Sequence, residues 1–172
     1  MAKFTRFFVV IGLIAAAIVA WRVLFPNPER QVHNRLVALA KAASFSGGDG
    51  NFAKLAYGNR VADFFAPDIE VDLGAAAGQT LRASGRDDLL EKLMVGRAAL
   101  DWLKVEFLDI SVTVAPDRQS AIADLAGKAT SSKEKDFFVQ EMKFTLKKIG
   151  GRWLIVRVEL VKTLSSASAA PF

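Results

Sequence analysis

The sequence predicts an α+β fold in which helices occupy the first half of one domain and antiparallel strands the second. Two observations carry that expectation. Between residues 102 and 164 apolar and polar positions alternate with period two, as half-buried strands do. Upstream, apolar residues recur at spacings of three and four, and two of these runs open at capping positions, Asn27 and Ser84. A third observation sets the N-terminus apart. Residues 7–25 form a run of nineteen with Arg22 as its only charge.

That run suits a bilayer span of about 20 residues, and Arg22 is close enough to its end to snorkel into the headgroups. A cleaved signal peptide competes, because Lys3 and Arg6 precede the apolar run. Ala20 would close its cleavage site, but Ile18 stands where a small residue is needed, so an uncleaved anchor is expected. Lys3 and Arg6 on one side are balanced by Arg22, Arg30 and Arg35 on the other, and charge alone does not orient the span. A short N-terminal tail stays inside while a large domain is exported, which places the domain on the extracytoplasmic, periplasmic side. The expected division is an anchor and elbow at 1–26, one domain at 27–164, and a disordered Ser/Ala-rich tail at 165–172.

Composition narrows the chemistry. The chain has 172 residues, 52% of them apolar, and no cysteine, which excludes disulfides, thiolate metal sites and Cys nucleophiles. Its one histidine, His33, supplies neither a metal site nor a Ser/His/Asp triad, and the glycines of 46–51 lack the lysine and hydroxyl of a phosphate loop. No metal or cofactor is expected. The net charge is +5, but the basic residues of the last two strands are interleaved with acids and do not alternate with aromatics as a base-stacking surface would. Nucleic acid is therefore not an expected partner. Contact with anionic headgroups is the functional alternative to a plain solvated sheet face.

The elements follow in order. Asn27 caps a helix with Pro28 at its first position and Glu29 at its positive end, and Val32, Leu36, Leu39 and Ala43 make its apolar stripe. A second helix is expected over 52–65, stopped by Pro67. Short strands follow at 69–73 and 80–83, and Ser84 with Asp87 opens a third helix as a capping-box variant. Leu89, Leu90, Leu93 and Met94 form its buried side. In the first long strand Leu103, Val105 and Phe107 share one parity, while Leu108, Ile110, Val112 and Val114 share the other. Such a flip predicts a β-bulge. In the second, Ala121, Ala123, Leu125, Gly127 and Ala129 make a face of small residues. The last two strands have Phe138, Met142, Phe144 and Leu146 on one face and Leu154, Val156, Val158 and Leu160 on one parity. Gly150-Gly151 joins them as a tight hairpin.

Three stretches resemble the nuclear transport factor 2-like superfamily, which includes SnoaL-like proteins and ketosteroid isomerase. They are Phe65-Ala66-Pro67-Asp68-Ile69-Glu70-Val71-Asp72-Leu73-Gly74, Ser84-Gly85-Arg86-Asp87-Asp88-Leu89-Leu90, and Gly151-Arg152-Trp153-Leu154-Ile155. The resemblance spans 27–164 and implies a cone-shaped curved antiparallel sheet wrapped around three helices, often enclosing a pocket. It implies isomerase chemistry poorly. Asp72 is the nearest match to the general base, the tyrosine donor of the first helix has no counterpart, and the second acid falls near Met142.

Four polar residues remain as pocket candidates, with no confident catalytic residue among them. Gln140 shares parity with Phe138, Met142 and Phe144; Asp124 shares it with Ile122 and Ala126; Asp72 either faces the cone or flanks the hairpin; Tyr57 is the only tyrosine. The reading these support is a single-pass membrane protein displaying a non-catalytic binding or assembly domain, partnered by lipid through its N-terminal helix and by a second copy or another protein in the same membrane. The alternative is a pocket enzyme or carrier that uses Asp72 and Gln140 on a small apolar ligand.

Overall fold

The computed structural model describes residues 27–48, 50–76, 79–133 and 138–161. The expected span at 7–25 and the tail at 165–172 lie outside the described residues. Among those residues no helix is long and apolar enough to cross a membrane.

Helix α1, Pro28–Ala43, starts as its sequence dictates: the Asn27 side chain accepts a hydrogen bond from the Glu29 amide at 2.9 Å. Val32, Leu36 and Leu39 are buried along one stripe. Ser44 then leaves the helix, and its hydroxyl ties the Ala40 carbonyl to the Val105 amide. Helix α2, Asn51–Ala62, ends three residues earlier than expected, because Phe65 already belongs to a strand. That strand, β1, runs Phe65–Ala76 and carries Pro67 where its ladder with a neighbour is interrupted, between Phe65 and Glu70. Strand β2, Gln79–Ser84, pairs back on it.

Helix α3, Arg86–Ala99, corrects the expected cap by one position. Gly85, at φ 86°, is the N-cap, and the Asp88 carboxylate reaches back to the Ser84 amide at 2.9 Å. Gly58 of α2 lets α3 approach, since a Cβ there would lie 2.7 Å from Leu90 Cδ1 and 2.9 Å from Met94 Sδ.

Strands β3 (Leu103–Val114), β4 (Ser120–Ser131), β5 (Phe138–Ile149) and β6 (Arg152–Leu160) complete one six-stranded sheet in the order β2-β1-β6-β5-β4-β3. The sheet is not wholly antiparallel as expected, because β1 and β6 run parallel. Gly150 and Gly151, at φ 57° and 79°, close the two-residue β5–β6 hairpin that the paired glycines predict.

Besides the interruption at Pro67, the ladders of the described residues show three bulges that curve the sheet. The expected one in β3 lies between Leu108 and Ser111, with Asp109 at φ 51°, and it leaves Leu108 outside while Ile110 turns inward. A second sits at Leu73-Gly74 in β1. The third corrects the expected parity of β6: Thr145 faces Arg157 and Leu146 faces Ile155, so Val156 is the extra residue. Trp153 and Ile155, rather than Val156, enter the core before the bulge, and Val158 enters after it. The concave face carries Ala121, Ala123, Leu125, Phe144 and Leu146, packed against Val32, Leu36 and Leu39 of α1.

Candidate functional site

Tyr57 is 3% exposed, and its hydroxyl donates to the Ala43 carbonyl at 3.0 Å. That carbonyl is one of the acceptors a helix end leaves open, so Tyr57 closes the C-terminus of α1. Burial pushes the phenol above its usual value, against smaller opposing effects of Arg97 and Arg60. Phe45 meets the Tyr57 ring edge-on at a centroid distance of 5.2 Å.

The ring face of Phe45 also meets a residue that the sequence reading did not single out. Arg97 is 6% exposed, its guanidinium carbon 3.8 Å from the Phe45 centroid and its Nη1 3.3 Å from the Leu100 carbonyl. Its signal was present in the helical spacing, because Arg97 continues the Leu90, Leu93, Met94 stripe of α3. Gly47, Gly48, Met94, Leu100 and Asp101 join it around a cavity of about 420 Å³.

Asp72 lies on the outer face of β1. Its carboxylate accepts from the Gly74 amide at 3.1 Å and stands 3.4 Å from Arg82 Nε. Asp124 is also on the outer face, exposed between the buried Ala123 and Leu125. The register joins them in one row across the sheet: Arg82, Asp72, Glu159, Lys143, Asp124 and Ser111 are successive neighbours. A second row pairs Glu70 with Arg157 at 2.7 Å. Opposite charges meet at Arg82–Asp72, Glu159–Lys143 and Lys143–Asp124, which favours the pairing, while Asp72 and Glu159 set two carboxylates side by side; charge along both rows keeps the face solvated. The Asp72 and Asp124 carboxylates are exposed on this face, outside the apolar concave core where water would be kept from a base acting on a carbon acid.

Gln140 is the candidate turned inward. It is half-buried on the concave side of β5, opposite Gly127, with Phe107 next in the row. The Met142 methyl fills the space beside it: a Cβ on Gly127 would lie 2.2 Å from Met142 Cε. Gln140 offers an amide donor and acceptor to whatever approaches from that side. The structure therefore does not gather the four residues. Tyr57 is bonded to α1, Gln140 is alone among them on the concave face, and Asp72 and Asp124 lie outside. Among the described residues no three His, Cys, Asp or Glu side chains are placed to hold a metal.

No family model and no curated protein matches the chain. Solved structures do. A nuclear transport factor 2-like protein with a cystatin-like fold from Novosphingobium aromaticivorans superposes with TM-score 0.62 at 17% identity, over 88% of this chain and 92% of that one. A protein assigned as a scytalone dehydratase from the same organism gives 0.57 at 18%, over 76% and 80%. One assigned as a ketosteroid isomerase from Shewanella frigidimarina gives 0.52 at 15%, over 74% and 92%. At these identities the likeness is one of fold. The curved six-stranded sheet with three helices is that of nuclear transport factor 2-like domains.

Proposed function

We propose that this nuclear transport factor 2-like domain is displayed from a membrane by the apolar run at 7–25, on the extracytoplasmic side, and acts as a non-catalytic binding or assembly module. One observation carries the reading: the two candidate carboxylates, Asp72 and Asp124, face away from the concave side, and the Tyr57 hydroxyl is spent on α1. Proton abstraction next to a carbonyl needs a base and an oxyanion donor converging on one enclosed point. The neighbours assigned as dehydratase and isomerase share the fold, and a fold carries many functions.

The binding surface is the outer sheet face, where Leu108, Ile122 and Val139 are exposed at 42, 44 and 45% among the charged rows. The partner is a second copy or another protein of the same membrane. The test is the mass of the full chain in detergent micelles, alone and as an Ile122→Glu/Val139→Glu variant. A dimer that the double substitution converts to monomer supports assembly through this face. A wild-type monomer carrying a bound small molecule overturns the reading in favour of a pocket enzyme or carrier.

A further inference from the structure

Residues 7–25 join the folded domain through Asn27 and α1, so the end of the domain from which α1 starts is the end nearest that apolar run. Two sets of contacts identify it. Near its start α1 meets β6, where Trp153 Nε1 donates to Gln31 Oε1 at 3.2 Å. Beyond its last turn, Phe45 pairs with Leu103 and Ser44 bonds to Val105, both at the beginning of β3. Asn27 precedes Gln31 by four residues, about 6 Å of helical rise. The end from which the apolar run departs is therefore the one that carries the β5–β6 hairpin. The β3–β4 turn lies beside it, with the Lys148 amide donating to the Gln119 carbonyl at 2.8 Å.

The surface there has a distinct composition. Ile149 is 43% exposed at the hairpin tip, and the space around Gly150 and Gly151 is open. Lys147, Lys148 and Arg152 flank it on the two strands, and Arg118 projects from the adjacent turn. Fewer carboxylates stand against them: Asp117 in that turn, and Asp63, which lies 3.4 Å from Arg152. At the start of α1, Glu29 is offset by Arg30. An aliphatic side chain ringed by cations matches an anionic lipid surface, whose phosphates meet the cations while the side chain enters the headgroup layer.

Resting on the tether proposed above, we infer that the β5–β6 hairpin docks on an anionic membrane, with Ile149 in the headgroup layer and Lys147, Lys148, Arg118 and Arg152 over the lipid phosphates. The domain then stands on its hairpin end, and the outer sheet face rises away from the bilayer, free for a partner.

The chain has no cysteine, so Ile149→Cys carries a single environment-sensitive label, and Lys104→Cys at the other end of β3 is its control. Both full-length chains are reconstituted into vesicles of phosphatidylcholine, with or without phosphatidylglycerol. The Ile149 label is expected to shift to the blue only with phosphatidylglycerol and to revert at high salt. Lys147→Glu/Lys148→Glu should lower the docked fraction about tenfold or more. The Lys104 label should not respond. A chain that floats with vesicles at high salt but whose Ile149 label stays in water even at low salt with phosphatidylglycerol keeps the tether and overturns the docking. Equal shifts at both labels also overturn it, as unspecific adsorption. A chain that fails to float overturns the tether, and the docking with it.

Discussion

Trp153 Nε1 donates to Gln31 Oε1 at 3.2 Å across 122 positions of sequence, and this contact locks the first helix to the strand that leaves the hairpin. It determines which end of the sheet faces the upstream chain. Replacing Gln31 with Leu keeps the packing but strands the indole donor in a part-buried site, and should cost about 1 kcal/mol in urea unfolding. An unchanged midpoint would mean that water serves the indole equally well.

Tyr57 makes stability fall at alkaline pH. Its folded value is raised by burial above the usual value of about 10, so below pH 10 the phenol is neutral in both states and contributes fully. Above pH 10 the unfolded chain releases the proton first, and the contribution drains away as pH climbs toward the folded value. Tyr57→Phe should cost about 1 kcal/mol at neutral pH through the lost bond to Ala43. The difference between wild type and variant should then shrink as pH rises above about 10, a comparison in which the shared lysine titrations cancel. A constant difference would contradict the burial of the hydroxyl.

Two backbone positions should respond in opposite directions. Gly151, at φ 79° in the hairpin, should lose about 1–2 kcal/mol on replacement by Ala. Asp109, at φ 51° in the β3 bulge, should gain up to about 1 kcal/mol on replacement by Gly and lose more than that on replacement by Val. Equilibrium denaturation decides both, and a stable Asp109→Val variant would argue against the bulge.

Arg97 places a charged head over Phe45, and at 6% exposure its aliphatic stem is buried with it. Arg97→Met retains most of the stem, whereas Arg97→Ala removes it, so thermal unfolding should show the larger loss, about 1–3 kcal/mol, for Ala. Equal losses would assign the residue's whole effect to its charge.

What was legible in the sequence was local. The Asn27 cap, the Gly150-Gly151 hairpin and the β3 bulge each depend on a few consecutive residues, and each appears where the pattern placed it. The β6 bulge was hidden because Trp153, Leu154, Ile155 and Val156 are all apolar, and an unbroken apolar run has no parity to flip. The parallel pairing of β1 with β6 joins segments about ninety residues apart and leaves no local trace. The site divides in the same way. Alternation placed Gln140 on the face of Met142 and Phe144, and Asp124 beside Ile122. The Ala43 acceptor of Tyr57 and the Phe45 partner of Arg97 are tertiary contacts that spacing does not encode.

Native mass spectrometry of the full chain released from lipid nanodiscs tests the central claim most directly. A binding module with an apolar concave core should appear free of small-molecule adducts, at an assembly mass that Gln140→Ala leaves unchanged. A small molecule that survives purification and is lost on Gln140→Ala would contradict the account and make the concave face a ligand site.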